Sequence, residues 1–248
     1  MTTHTAAPLL PAEVLARLFA ADATRPRLTW YDDEPGPTAG ERIELSARVL
    51  TNWVAKAANL LQDDLSAEPG TTVGLDLPAH WRAVYWALAA WSVGAEVVVG
   101  TAATGADVLV TADVQTAAEH GGDAVLVSLP ALARSHPQAA DAPAAVDEAR
   151  ELATHGDVFV PLADPEPSDV ALATASGSLT YGEVVVADEA WGTQPRVAVR
   201  GSLDAVLRRC LAAWAADGSV VLERGPAGDG TPARHASEGV TVDAGAGA

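Results

Sequence analysis

Apolar residues along the chain alternate between two spacings, and the alternation predicts the elements. Val14, Leu15, Leu18 and Phe19 are spaced as on a short amphipathic helix over Pro11 to Ala21. Leu28 to Tyr31 and Arg42 to Leu45 are short strand-like runs around a loop rich in Asp, Pro and Gly. From Ser46 the period returns to that of a helix, with Val49, Leu50, Trp53, Val54, Ala57, Leu60 and Leu61 on one stripe. Asp63 and Asp64 lie past its useful end, and Pro69-Gly70 marks a turn.

Thr72 to Leu77 is predicted as a strand, and Pro78 to open a helix over Trp81, Val84, Tyr85, Leu88 and Trp91 that stops at Gly94. Glu96 to Val99 and Val108 to Val110 are β-branched runs of the kind buried on both faces of a parallel sheet. A helical Thr116–Ala118 segment, a strand Ala124 to Val127 and a short Leu129–Ala133 helix continue the alternation. Ser135 to Ala144 reads as a surface connection and Val146 to Ala153 as helical. Asp157 to Val160 and Val170 to Ala173 read as strands, and the tail from Gly225 as loose apart from an edge strand at Gly239–Val242.

Strands alternating with helices of this length imply an α/β fold, a doubly wound, mostly parallel sheet with helices on both faces. Leu88-Ala89-Ala90-Trp91 recurs as Leu211-Ala212-Ala213-Trp214. Each copy is preceded by a strand and followed by a glycine (Gly94, Gly218) and a valine-rich strand. The recurrence points either to chance in an Ala-rich chain or to two related α/β units. The expected division is a first subdomain over residues 10–174 and part of a second unit with the tail over 175–248.

Composition narrows the function. The formal charge is −18, from 33 acidic against 15 basic residues, which disfavours nucleic acid and anionic membrane as partners. Lys56 is the only lysine, so a lysine-dependent step would have to use it. Cys210 is the only cysteine, which excludes an intrachain disulfide. The N-terminal residues carry no signal-peptide pattern, and the longest apolar run, Trp81 to Val99, is broken by Arg82, Gly94 and Glu96. No membrane association and a cytoplasmic location are expected.

The order of these motifs resembles the opening of the adenylate-forming superfamily of AMP-dependent acyl-CoA synthetases and ligases. The matching stretches are Arg42 to Ser46, Ala57 to Leu61, Pro69 to Leu75, Leu77-Pro78 and Ala87 to Ala95, with Asp107 to Thr111 as the next strand. Pro167 to Leu172 resembles the lead-in to that family's phosphate loop, and the likeness covers roughly residues 10 to 224. The chain is also similar to short actinobacterial proteins of this design. The resemblance implies the N-terminal α/β subdomain of an acyl-CoA synthetase.

Departures from the family pattern weigh against its activity. The stretch matching the phosphate loop is Ala175 to Glu183; Ser176, Gly177, Ser178 and Thr180 remain from the family's pattern, without its lysine and with Glu183 nearby. These four are the candidate site, either a degenerate phosphate loop or a small-residue turn. The adenine motifs, the magnesium-binding glutamate and the C-terminal domain with its catalytic lysine are not found. The resemblance therefore implies a non-catalytic binding or interaction module, acting as a homodimer or on a partner protein through an exposed Trp-bearing helix. The alternative is the nucleotide- or acyl-binding part of a ligase completed by a second polypeptide. No cofactor is expected, ATP and AMP included, and no metal.

Weaker signals have plainer readings. Gly100 to Gly105 has the outer spacing of a phosphate-binding loop but is followed by Ala106-Asp107, so it reads as a strand-to-strand connection. His80 falls at a helix start near a strand's carboxyl end, as a cap or as part of a ligand site. Cys210 reads as core packing.

Overall fold

A computed structural model describes residues 8–245. Helix α1 (Pro11–Ala21) has proline at its first position and buries Val14, Leu15 and Leu18. Phe19 departs from the expected stripe: it is exposed, with the Arg48 guanidinium over its ring at 5.7 Å. Strands β1 (Pro26–Asp32) and β2 (Arg42–Ser46) pair antiparallel. Ser46 then caps α2 (Ala47–Asn59), its side chain accepting a hydrogen bond from the Val49 N–H at 3.3 Å. Leu50, Val54 and Ala57 are buried on α2, whereas Val49 faces solvent. The helix runs on through a π-helical turn, Leu60–Asp64, so Asp63 and Asp64 belong to its end.

Strand β3 (Thr72–Asp76) leads to α3 (Trp81–Ser92), then β4 (Glu96–Val99), β5 (Val108–Thr111), α4 (Val114–Glu119) and β6 (Asp123–Leu126). Pro78 does not open α3, because His80 caps it two residues later, accepting from the Arg82 N–H through Nδ1 at 3.1 Å. Leu129 to Ala133, expected as a helix, is a turn region. The Arg82 guanidinium donates to its Leu129 and Pro130 carbonyls, and the one backbone bond within it, Ala133 N–H to the Pro130 carbonyl at 3.2 Å, closes a single turn that is not continued. The helix expected over Val146 to Ala153 resolves into β7 (Val146–Asp147), α5 (Glu148–Glu151) and a 3₁₀ turn, Leu152–Thr154.

Asp157 to Val160, expected as a strand, is irregular and pairs with no strand. Its carbonyls are held by side chains: Asn59 Nδ2 donates to Gly156 and Val158, and Gln62 Nε2 to Val160. Strands β8 (Val170–Thr174) and β9 (Gly177–Thr180) form a hairpin. Strand β10 (Arg196–Val199), α6 (Leu203–Ala215) and β11 (Ser219–Arg224) follow. The tail expected to be loose forms α7 (Thr231–Glu238), pinned by Glu238 against Arg42 and Arg196. The edge strand expected at Gly239–Val242 lies slightly later, as β12 (Val242–Asp243) beside β10, because Gly239 caps α7.

The strands make two sheets, of order β7-β6-β5-β3-β4-β8-β9 and β12-β10-β11-β1-β2. Every pairing is parallel except β8–β9 and β1–β2. The mostly parallel α/β expectation therefore holds. The sheets do not divide the chain at residue 174, since β1 and β2 join the C-terminal strands and β9 stays with the first sheet. Helix α3 packs against α1, α2 and α6, and eleven of its twelve residues, Trp81 to Trp91, are buried. One continuous apolar core runs through both sheets and the helices between them.

The recurrent Leu-Ala-Ala-Trp segments take equivalent places in the two sheets. Trp91 Nε1 donates to the Ala171 carbonyl at 2.7 Å, in β8, the neighbour of β4. Trp214 Nε1 donates to the Arg27 carbonyl at 3.0 Å, in β1, the neighbour of β11. A Cβ on Gly94 would lie 2.8 Å from Pro69 Cγ, and one on Gly218 would lie 2.5 Å from the Pro195 carbonyl oxygen. Each proline precedes the first strand of its unit. The recurrence thus fixes the same strand–helix–strand joint twice.

Candidate functional site

In open α/β sheets ligands bind at the carboxyl ends of the strands. Here the ends of β3, β4 and β8 and the start of α6 enclose a cleft of about 540 Å³. Its charged lining residues are Asp76 and Asp204, with hydroxyls from Thr101, Thr104, Ser176 and Ser202. No lysine or arginine is among them. Asp76 accepts a hydrogen bond from Thr111 Oγ1 at 2.7 Å. Gly100–Gly105 is a 3₁₀ turn connecting β4 and β5, as its sequence suggested, and it also forms one wall of the cleft.

Of the four candidate residues, only Ser176 reaches this cleft. It lies in a two-residue hairpin turn, since Thr174 pairs directly with Gly177 across β8 and β9. Gly177 takes φ +135°, a conformation that favours glycine. The turn bonds to itself. Thr174 Oγ1 lies 2.9 Å from Ser176 Oγ, receives the Ser176 N–H at 3.1 Å and donates to the Gly177 carbonyl at 3.0 Å. Ser178 pairs with Ala173 in the ladder. Thr180 donates both its N–H and its hydroxyl to Glu183 Oε2, each at 3.0 Å. Those bonds hold the Glu183 carboxyl below its ordinary range, so it is ionised at neutral pH. The next residue, Tyr181, is buried and donates from its hydroxyl to the Ala95 carbonyl at 2.8 Å.

His80 is a cap. It is fully buried, with its ring centroid 4.2 Å from that of Trp30, and burial, with Arg82 and Arg224 nearby, lowers it to about 2. It is neutral at any physiological pH. Cys210 is buried on α6, where burial pushes its thiol up and leaves it inert. The helix tryptophans Trp81, Trp86, Trp91 and Trp214 are core residues and Trp53 is half-buried, so none presents an exposed ring. Among the described residues, no group of three or more His, Cys, Asp or Glu is placed to hold a metal ion. No described helix is long and apolar enough to cross a membrane.

Sequence reasoning missed two buried ionic clusters. Glu148 is fully buried and accepts from the Tyr85 hydroxyl, from Trp86 Nε1 at 3.1 Å and from Arg82 NH1 at 3.2 Å. Burial pushes its carboxyl up to about 7 against the opposing pull of Arg82. Arg82, Tyr85 and Trp86 share one helical face at i, i+3 and i+4, but nothing local pairs them with an acid sixty residues on. In the second cluster Glu223, also buried, faces Arg200, Arg234 and His235. Arg224 is likewise paired, with Asp32 at 3.0 Å. The arginines at the carboxyl edge of the second sheet are therefore already neutralised.

A Mycobacterium tuberculosis protein described as a TIGR03089 family protein is 35% identical over 209 residues, 77% of this chain and 82% of that relative. The chain belongs to that family. No family model matches it.

Among solved structures, the inhibitor-bound N-terminal domain of FACL13 from Mycobacterium tuberculosis is similar with a TM-score of 0.70 at 11% identity. That match covers 94% of this chain and 62% of that one. A Brucella canis acyl-CoA synthetase matches with a TM-score of 0.70 at 18% identity, over 96% of this chain and 47% of its own. The Klebsiella oxytoca NpsA N-terminal subdomain, in complex with 3-hydroxybenzoyl-AMSN, matches at 0.67 and 14%, over 97% and 61%. At such identities these likenesses establish the fold, that of the N-terminal part of acyl-CoA synthetases and adenylation domains. The chain spans less than two thirds of each of these solved structures.

Proposed function

We propose that the chain is a non-catalytic member of the adenylate-forming superfamily, acting in the cytoplasm as a binding or interaction module. The hairpin turn at Thr174 to Gly177 carries this reading. A phosphate cradle needs several N–H groups and hydroxyls turned toward one anion. Here the Thr174, Ser176 and Thr180 groups are spent on one another and on Glu183. A phosphate in the cleft would also meet Asp76 and Asp204, with no cation in the lining to offset them.

The cleft's position at the strand ends favours a second reading, a nucleotide- or acyl-binding part of a ligase completed by another polypeptide. Calorimetric titration with ATP, AMP and an acyl-CoA, with and without magnesium, separates the two. The expected result is no saturable heat from any of the three. Micromolar ATP binding that Ser176→Ala or Ser178→Ala weakens would overturn the non-catalytic reading in favour of the second.

A further inference from the structure

An apolar groove of about 980 Å³ lies apart from the cleft and shares no lining residue with it. Helix α1 forms one wall through Ala12, Ala16 and Phe19, and α2 and the end of α3 form the floor. The opposite wall is an irregular strap from Asp157 to Pro165, which contributes Val158 and Phe159 to the groove lining. Beyond this wall the apolar surface continues: Val158, Val160 and Leu162 are 77%, 71% and 85% exposed. Contiguous exposed apolar surface of this kind is uncommon unless it binds something.

The strap is held in place for display. Lys56 Nζ donates to the His155 carbonyl and pairs with Asp157 at 2.8 Å. Asn59 and Gln62 bond the carbonyls of Gly156, Val158 and Val160, and Gln62 Oε1 receives the Leu162 N–H at 3.0 Å. Sequential side chains of one helix thus take the place of a neighbouring strand. A wall fixed in this way costs a partner little ordering entropy.

Charge selects the occupant. The groove is lined by Glu13, Asp164 and an Asp157 already paired with Lys56, against Arg48, and Asp63 and Asp64 stand exposed at the end of α2, so its balance is acidic. A second copy, itself of net charge −18, would be disfavoured here by repulsion, and an anionic lipid would be repelled in the same way. Helix α1, at eleven residues, is about 16 Å long, or three turns, the span over which a docked helix places anchors at i, i+3 or i+4, and i+7. We infer that this groove docks an amphipathic helix of a partner protein, apolar on the buried face and flanked by Lys or Arg.

The test uses the full chain and three labelled 15-residue helical peptides, Leu/Lys, Leu/Glu and Ser/Lys, followed by fluorescence anisotropy at physiological salt. Only the Leu/Lys peptide is expected to bind. Ala16→Asp and Val158→Asp, both at exposed positions, should each weaken it at least about tenfold, while Leu132→Asp, exposed elsewhere, leaves it unchanged. These substitutions add negative charge, so a contact resting on charge alone would tighten, and that result would overturn the proposal. Equal binding of the Leu/Glu or Ser/Lys peptide would also sink it. So would a concentration-dependent dimer broken by Val158→Asp, or uptake of a fatty acid in place of the peptide.

Discussion

Glu148→Ala should cost about 3–5 kcal/mol of folding stability, read from urea unfolding at pH 8, because it strands a buried cation. Arg82 and Glu148 are 2% and 1% exposed, so water cannot replace the lost carboxylate. The Tyr85 hydroxyl and Trp86 Nε1 would lose their acceptor at the same time. The pH dependence has a definite sign. The carboxyl is held near 7 when folded, against an ordinary value of 4.5. Between those values the folded chain keeps a proton that the unfolded chain has released. The contribution of Glu148 is therefore full below about pH 4.5 and falls by about 1.4 kcal/mol per pH unit as pH rises toward 7. Glu148→Gln removes that slope, so the wild-type unfolding midpoint should fall relative to that of Glu148→Gln as pH rises from 4.5 to 7 and level off by pH 8. Parallel profiles would show that the carboxyl is not held near neutrality.

How far the sequence could be read depended on whether a signal was local. The strand and helix periods of β3 to β6 and of α2, α3 and α6 are local, and they predict the fold class correctly. The Leu-Ala-Ala-Trp recurrence was legible as a pattern, but its meaning lies in long-range partners: Trp91 reaches Ala171 and Trp214 reaches Arg27. Sheet membership was not legible at all. Pairing β1 with β11 joins Leu28 to Val220, and no local period announces a contact across so much chain. Asp157 to Val160 looks like a strand because its residues favour extended backbone, yet its hydrogen-bond partners are the side chains of α2. Its apolar residues therefore face solvent, which creates the groove wall that strand periodicity alone would have buried. At the candidate site, the loss of the family's lysine was visible in the sequence, while the self-bonded turn was not. That closure depends on Thr174, a strand residue between the two stretches matched to the family's phosphate loop and its lead-in.

Gly74→Ala is expected to destabilise the chain by about 3 kcal/mol, the upper part of the range for overpacking a core. Gly74 sits mid-way along β3, between Val98 of β4 and Leu109 of β5. An added Cβ would lie 1.9 Å from the Ala103 carbonyl oxygen and 2.7 Å from its carbon. Both obstructing atoms are backbone, and Ala103 is fully buried, so no side-chain rotation relieves the clash. Either β3 or the Gly100–Gly105 turn must move, and the turn is the weaker element because it lies outside the ladder. That turn carries Thr101 and Thr104 into the cleft, so the substitution should open the cleft wall as well as lower stability. Thermal unfolding reads the first effect, and amide exchange at residues 101–106 reads the second as lost protection. A change within about 0.5 kcal/mol, the range of an ordinary surface substitution, would mean that β3 and the turn are not in contact as described. The result bears on function too, because the absence of a side chain at one sheet position is what lets this connection close over the strand ends, where an open α/β sheet would otherwise present its ligand site.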